Sequence, residues 1–314
     1  MNHPTPDILT FGEAMTLFAA DAPGDLAEVE RFSRSCAGAD TNVAIGLSRL
    51  GFKVGWLSRV GEDCFGRYLR ASLEREGLDC RHLITDAEHA TGLVFKERAV
   101  GGADPRVEYR RHNSAASKLS PADAQDVDFS TLRHLHATGI PPALSASCRE
   151  LSQFLLEKAR QHGTSVSFDP NLRPTLWASE SEMRDTLNGL AAQANWVLPG
   201  LSEGQLLTGQ TSAHDIAGFY LDQGADAVVI KLGPEGSYYR GTLAGHEESF
   251  TVEGCHVAEV VDTIGAGDGF AVGVISALLD GCSARQAAQR EPAPGGVRRG
   301  EALERAAPSQ GRRI

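Results

Sequence analysis

Residues 262–270, Asp-Thr-Ile-Gly-Ala-Gly-Asp-Gly-Phe, run directly into the apolar helical stretch Ala-Val-Gly-Val-Ile-Ser-Ala-Leu-Leu. Two glycines flanking an alanine (Gly265, Ala266, Gly267) let backbone N–H groups converge at a helix start, where unpaired donors and the positive end of the helix dipole favour an anion. Asp268 then falls in the first helical turn, beside the place where a transferred phosphoryl group would be held. Phosphoryl transfer depends on positioning and on stabilising charge spread over equatorial oxygens. An N–H cradle plus one carboxylate aimed at the acceptor hydroxyl is therefore a sufficient core. The helix dipole is expected to depress the pKa of Asp268, so that the carboxylate orients the hydroxyl first and takes its proton late. A bare Gly-x-Gly is usually an ordinary turn, but the whole nonamer is far more specific. It has no Gly-Lys-Ser/Thr, which excludes a P-loop, and no Gly-x-Gly-x-x-Gly after a first strand, which argues against a Rossmann dinucleotide site.

The elements that must position this motif read as α/β. The run Ile-Leu-Thr-Phe-Gly at 8–12 suits a first buried strand, while 16–20 and 31–37 look like strands of a small accessory sheet, completed by 92–100 and 106–111 around a Gly-Gly-Ala-Asp-Pro turn. Helical text begins at Asp40 or Thr41, either of which can cap, and ends at Gly51. A strand at 54–60 and a helix at 65–76 follow. Beyond Ser120 the pattern alternates: strands at 132–138, 165–169 and 196–198, helices at 144–161 and 179–192, helices near Leu201 and Ala213, an apolar strand at 227–232, a meander over 236–253, and a helix from 265 or 266 to 279. Strands separated by helices imply parallel pairing with helices on both faces. Arg173, in the loop after a strand ending Asp169-Pro170, sits where such folds place ligands.

Composition sets the outer bounds. The 314 residues carry a formal net charge of −11 with 41% hydrophobic residues, which suits a globular protein and gives no drive toward nucleic acid or an anionic membrane. No apolar run is long enough to span a bilayer, and the opening Met-Asn-His-Pro-Thr-Pro-Asp has no leader pattern, so a cytoplasmic location is expected. Six scattered cysteines read as reduced thiols. His134 and His136 alternate on a strand with no Ser or Cys motif beside them, and core or surface histidine is the better reading.

The nonamer resembles the C-terminal signature of the ribokinase-like (PfkB) carbohydrate kinases, in which the glycines form an anion hole and the final Asp is the catalytic base. Ala-Gly-Ala-Asp-Thr-Asn-Val-Ala-Ile-Gly-Leu-Ser-Arg-Leu-Gly (37–51) resembles that family's sugar-binding segment, and Arg-Val-Gly-Glu-Asp-Cys-Phe-Gly (59–66) the turn that follows it. The likeness runs over residues 7–283. It implies a three-layer α/β/α sandwich with a mostly parallel central sheet and a small β-sheet lid, with ATP and Mg²⁺ as co-substrate and cofactor. Within the family, Asp-Pro-Asn-Leu-Arg-Pro-Thr-Leu-Trp (169–177) and Tyr-Arg-Arg-His-Asn-Ser-Ala-Ala-Ser (109–117) resemble 2-keto-3-deoxygluconate kinases. A keto acid carries a carboxylate that an Arg fork can bind. The resemblance assigns Gly38, Asn42, Tyr109, Arg111, Arg173 and Asp268 to the substrate, and Lys231, Gly233, Gly236, Thr263, Gly265 and Gly267 to ATP. Catalysis would fall to Asp268, with Gly265, Ala266 and Gly267. Glu203 matches the end of an Asn-x-x-Glu element near Mg²⁺, but Gly200 holds the Asn place, so action through water is expected. Plainer readings stand beside these: Arg110 and Arg111 as solvated strand charges, Asn42 as a helix-start residue, Lys231 as a strand-end lysine.

The kinase domain is expected over residues 1–283, with lid strands within 16–37 and 92–111. From 284 to 314 the text turns to Arg, Pro and Gly and is expected to be irregular, as if the terminus were replaced, at some cost to the ATP pocket. The rival readings are a kinase for a neutral sugar such as fructose or ribose, and a catalytically impaired sugar-binding protein. A homo-oligomer through the lid sheet is a further expectation.

Overall fold

The computed structural model describes residues 6–99, 105–243, 245–254 and 265–290. The chain opens with β1 (Ile8–Phe11), then leaves the main sheet for β2 (Met15–Ala20) and β3 (Phe32–Ala37). It returns through α1 (Ala39–Arg49) to β4 (Val54–Gly61), α2 (Cys64–Arg75) and β5 (Leu83–Asp86). Strands β6 (Leu93–Lys96) and β7 (Val107–Arg110) come next. From β8 (His134–Thr138) the order is α3 (Pro141–Leu144), α4 (Ala146–His162), β9 (Ser165–Asp169), α5 (Glu180–Ala191), β10 (Trp196–Val197), α6 (Leu201–Thr208), α7 (Ala213–Asp222) and β11 (Ala227–Lys231). The meander is β12 (Ser237–Gly241) and β13 (Glu248–Val252), and α8 (Ala266–Leu279) and α9 (Ala284–Gln289) follow.

Nine strands form one sheet in the order β13-β12-β11-β10-β9-β8-β1-β4-β5. It is parallel from β11 to β5, and only β12 runs the other way, pairing antiparallel with β11 and with the edge strand β13. Helices cover both faces, as the fully buried apolar strands require. One core gathers Leu151 and Leu155 of α4, Leu187 of α5, and Ile216 and Tyr220 of α7. The other gathers Val43 and Leu47 of α1, Leu69 of α2, and Val274 and Ile275 of α8. The spacing on α4 shows why it is a helix: Leu151, Leu155 and Ala159 recur every four residues and are fully buried, Ser145 caps the Cys148 N–H at 3.1 Å, and Gly163 closes it in a left-handed conformation. Each buried leucine contributes about 1.5–3 kcal/mol by leaving water. The second sheet, β3-β2-β6-β7, is the small lid. Among the described residues no helix is long and apolar enough to cross a membrane.

Two expectations are corrected here. Neither Asp40 nor Thr41 caps α1: the N-cap is Gly38, with no side-chain cap, and both residues lie buried inside the first turn. The irregular segment does not start at Ala284, because Ala284–Gln289 is helical, opened by a capping box in which Ser283 and Gln286 bond each other's backbone N–H. Its face packs through Ala284 and Ala288, and Ser237 donates to the Ala288 carbonyl at 3.5 Å. Residues 291–314 lie outside the described residues.

β1 pairs with β8 on one side and β4 on the other, so the chain winds away from it in both directions. Such a switch point leaves a crevice beyond the C-terminal strand edges, where ligands bind in open α/β sheets.

Candidate active site

Residues at those strand ends, the lid and the start of α8 enclose one cavity of about 400 Å³. Its wall includes Gly38 and Asn42 from α1 and its entry, Tyr109 and Arg111 from the lid hairpin, and Arg173 from the loop after β9. Glu203, Lys231, Gly265, Gly267 and Asp268 complete the opposite side. Gly38 is required by geometry: its φ is 142°, and a Cβ there would overlap the Glu13 carbonyl. That tight crossing brings the lid strand β3 into α1 directly against the end of β1.

Asp268 is nearly buried, at 9% exposure. Its Oδ2 accepts from the Asn42 amide at 2.7 Å, and Oδ1 faces the Asn171 amide at 3.5 Å. Asn171 is held at a φ of 39°, the left-handed region that Asn tolerates better than most residues. The expected fall in the Asp268 pKa is corrected: it is raised, because burial outweighs the bonds from Asn42 and the charges of Lys231 and Arg173. Desolvation of the charged form exceeds the helix dipole here. The carboxylate is a stronger base than its place in the first turn of α8 suggested. Gly265 caps α8 in a left-handed conformation and has no side chain to bond the helix N–H groups, so among the described residues those donors are left for an anion.

The cations are placed differently from one another. Lys231 is 2.7 Å from Asp169 Oδ2 and 3.9 Å from Glu203 Oε2. Asp169 is buried, and burial pushes its carboxyl up to about 6 against the pull of Lys231. Arg111 is 2.5 Å from Glu13 Oε2, but the approach lies off the N–H direction, so the pair is an ion contact without a directed hydrogen bond. Ser114 donates to the other Glu13 oxygen at 2.5 Å, and Glu13 is fully buried. Arg173 donates to the Leu172 carbonyl at 2.8 Å and makes no ion pair among the described residues, which leaves its charge for a ligand. Glu203 spends one oxygen on the Leu172 N–H at 2.8 Å and the other on the Gly200 N–H at 2.7 Å. With Lys231 beside it, this carboxylate suits a cation reached through water rather than one bound directly.

An anion cradle, a basic carboxylate and arginines sharing one cleft are the parts that move a phosphoryl group to a hydroxyl. The pfkB family carbohydrate kinase model matches residues 5–290. The chain belongs to the pfkB family of carbohydrate kinases. A 2-dehydro-3-deoxygluconokinase of Bacillus subtilis is 48% identical over 93% of this chain and 89% of its own length. A PfkB protein from Polaromonas superposes with a TM-score of 0.85 at 51% identity, over 92% of this chain and 94% of that one. An E. coli protein termed ribokinase II, solved in complex with ATP and Mg²⁺, gives a TM-score of 0.79 at 27% identity, over 90% and 89% of the two chains.

Within this pfkB fold the residues singled out from the sequence divide into four groups. Ten line the cavity together: Gly38, Asn42, Tyr109, Arg111, Arg173, Glu203, Lys231, Gly265, Gly267 and Asp268. Ala266 is exposed beside it. Gly233 and Gly236 are not in that wall; they form the turn from β11 to β12, where a Cβ on Gly236 would overlap the Val252 carbonyl. Thr263 lies outside the described residues. Glu13, Asp40 and Asn171 line the cavity and were not foreseen. Asn171 had a signal, an Asn directly after Asp-Pro at a strand end; Glu13 had none beyond being an acid next to Gly12, and Asp40 none of its own, although it lies within the 37–51 segment that resembles the family's sugar-binding segment. His134 and His136 are core histidines, both fully buried and joined through the Ser167 hydroxyl at 2.8 Å to each.

Proposed function

We propose that this pfkB kinase transfers the γ-phosphoryl group of ATP to the terminal hydroxyl of 2-keto-3-deoxygluconate. The observation that carries the reading is that Asp268, at the mouth of the α8 cradle, shares one cavity with Arg111 and Arg173. The B. subtilis relative, with the same activity in its name and 48% identity, supports it.

Arg173 and Arg111 hold the substrate carboxylate, and Tyr109, on the lid, closes over the sugar chain. That places the terminal hydroxyl at Asp268, whose carboxylate Asn42 and Asn171 hold in orientation. The hydroxyl oxygen bonds to the γ-phosphorus as the bond to the β,γ-bridging oxygen breaks, ADP leaves, and the hydroxyl proton passes to Asp268. The N–H groups of Gly265 and Gly267 and the Lys231 ammonium carry the charge on the transferring group. Magnesium supplies charge neutralisation on the phosphates, and Glu203 fits it through water.

A second reading, a kinase for a neutral sugar, has one observation in its favour: Glu13 already offsets the charge of Arg111. Coupled ADP release across 2-keto-3-deoxygluconate, fructose and ribose separates the two. The keto acid is expected to show the highest kcat/KM, and Arg111→Ala to lower it about 10- to 100-fold, the worth of a hydrogen bond to a charged group. Fructose or ribose turning over faster, with little effect of Arg111→Ala, would establish the second reading.

A further inference from the structure

Glu13 follows the end of β1 and borders the cavity, yet its side chain has no exposed surface and does not reach a ligand. Three stretches of chain fix it there. Ser114, after β7, donates to Oε1 at 2.5 Å. Gly92, just ahead of β6, lies so close that a Cβ would overlap the same oxygen. Oε2 is left to Arg111, 2.5 Å from Nη2. Burying a carboxylate costs stability unless it is paired and hydrogen-bonded, and here both oxygens are committed, one of them to an arginine of the cleft. Arg111 shows the complementary half. Its Nε and Nη2 are buried without a directed hydrogen bond. Nη1 makes no hydrogen bond among the described residues and is the guanidinium nitrogen left for the cavity that Arg111 lines. The guanidinium carbon also lies over the Tyr109 ring, 5.6 Å from its centroid.

We propose that Glu13 is a positioning residue that acts through Arg111, holding the guanidinium by its Nη2 side so that Nη1 meets the carboxylate of the sugar acid. The inference rests on the sugar-acid kinase reading and adds to it the group that aims one of the two arginines. Without Glu13 the arginine has another carboxylate to turn to. Asp40 stands on the same wall and already feels the Arg111 charge, and a guanidinium swung toward it is withdrawn from the substrate. A long side chain that must be ordered at each binding event also costs affinity, and Glu13 supplies that order in advance. Its own negative charge works against an anion, so the same carboxylate weakens substrate binding wherever Arg111 is missing. That opposite sign separates positioning from a merely structural role.

KM for 2-keto-3-deoxygluconate and for ATP, kcat and the thermal midpoint are measured in the native protein, Glu13→Gln, Arg111→Ala and the double variant. Glu13→Gln should raise KM for the sugar acid about tenfold, the worth of a hydrogen bond to a charged group, and leave KM for ATP within about twofold of native. In the Arg111→Ala background the same exchange should leave the sugar-acid KM unchanged or lower it. A structural role would instead raise it equally in both backgrounds, as independent effects do. Ser114→Ala removes only the bond to Oε1 and decides the matter by the same rule if Glu13→Gln does not fold: about a threefold rise in sugar-acid KM, silent in the Arg111→Ala background. A sugar-acid KM within about twofold of native in Glu13→Gln, or an equal rise in both backgrounds, overturns the proposal and leaves the kinase reading standing. If Arg111→Ala itself leaves that KM unchanged, or the native protein does not turn the sugar acid over, the sugar-acid reading falls and the proposal with it.

Discussion

At the scale of single residues, burial sets the acid–base properties of this cleft. Asp268 must be ionised to align and deprotonate an alcohol, and its pKa is raised by burial, so the acid limb of kcat should lie above the usual carboxylate range, near 3.8 for an Asp. Asp169 is stabilised by Lys231 at 2.7 Å. Removing that partner as Lys231→Met leaves a buried carboxylate alone, which costs about 3–5 kcal/mol. Urea unfolding should show this loss at pH 8 and a much smaller one at pH 5, where Asp169 takes up a proton. Asp40 gives the opposite sign from an ordinary surface carboxylate. Its folded pKa of about 7 lies above the unfolded value near 3.8, so its contribution is fully present below the unfolded pKa and is lost as pH rises through 7. Asp40→Asn should therefore raise the thermal midpoint at pH 8 and change it less at pH 5.

At the scale of elements, the crossing from β3 to α1 is the critical joint. Gly38→Ala places a Cβ against the Glu13 carbonyl at a φ of 142°, so it should destabilise by more than the about 1 kcal/mol of a compatible exchange and displace Asn42 from Asp268. Thermal unfolding and kcat should fall together. This joint also marks the limit of what the sequence discloses. The buried strands β1, β4, β8, β9 and β11 were legible as short apolar runs, and α8 as an apolar run behind two glycines. The lid strands were legible within a few residues, because they are short and lie around Pro and Gly. The first turn of α1 was misread because Asp and Thr at a helix start usually cap; the fold turns both inward, and only Asp40 joins the wall. β5 was missed: Leu-Ile-Thr-Asp is an edge strand with a single alternation. α9 was missed because its alanines sit in text rich in Arg and Pro, although Ser283 and Gln286 spell its capping box. Ser283→Ala should cost about 1 kcal/mol and loosen the contact of α9 with β12, which differential scanning calorimetry can read.

At the scale of the whole molecule, the switch at β1 gathers side chains from α1, the lid, the ends of β1, β8, β9 and β11, and α8 into one cleft, although they span residues 13 to 268. No local pattern reports such a meeting, which is why Asp268 and the arginines were legible as separate signals while Glu13 and Asp40 were not. The same sheet carries a buried polar row of Ser165, His134, Ser167 and His136. Burial holds His136 down at about 3, well below its usual 6.5. Because the unfolded chain binds that proton first, the whole fold should lose stability as pH falls below about 6.5, opposing the gain from Asp40 and Asp169. Replacing His136 with Gln should shift the acid unfolding midpoint to lower pH.

The central claim is that Asp268 accepts the proton of the acceptor hydroxyl while other groups hold the sugar acid. The most direct measurement is single-turnover phosphorylation of 2-keto-3-deoxygluconate by Asp268→Asn, with calorimetric binding of the sugar acid on the same sample. The account predicts binding within a few fold of the native protein and a chemical step slower by about 10²–10⁴-fold, the usual worth of a positioned general base. A chemical step within tenfold of native, with binding intact, would contradict it.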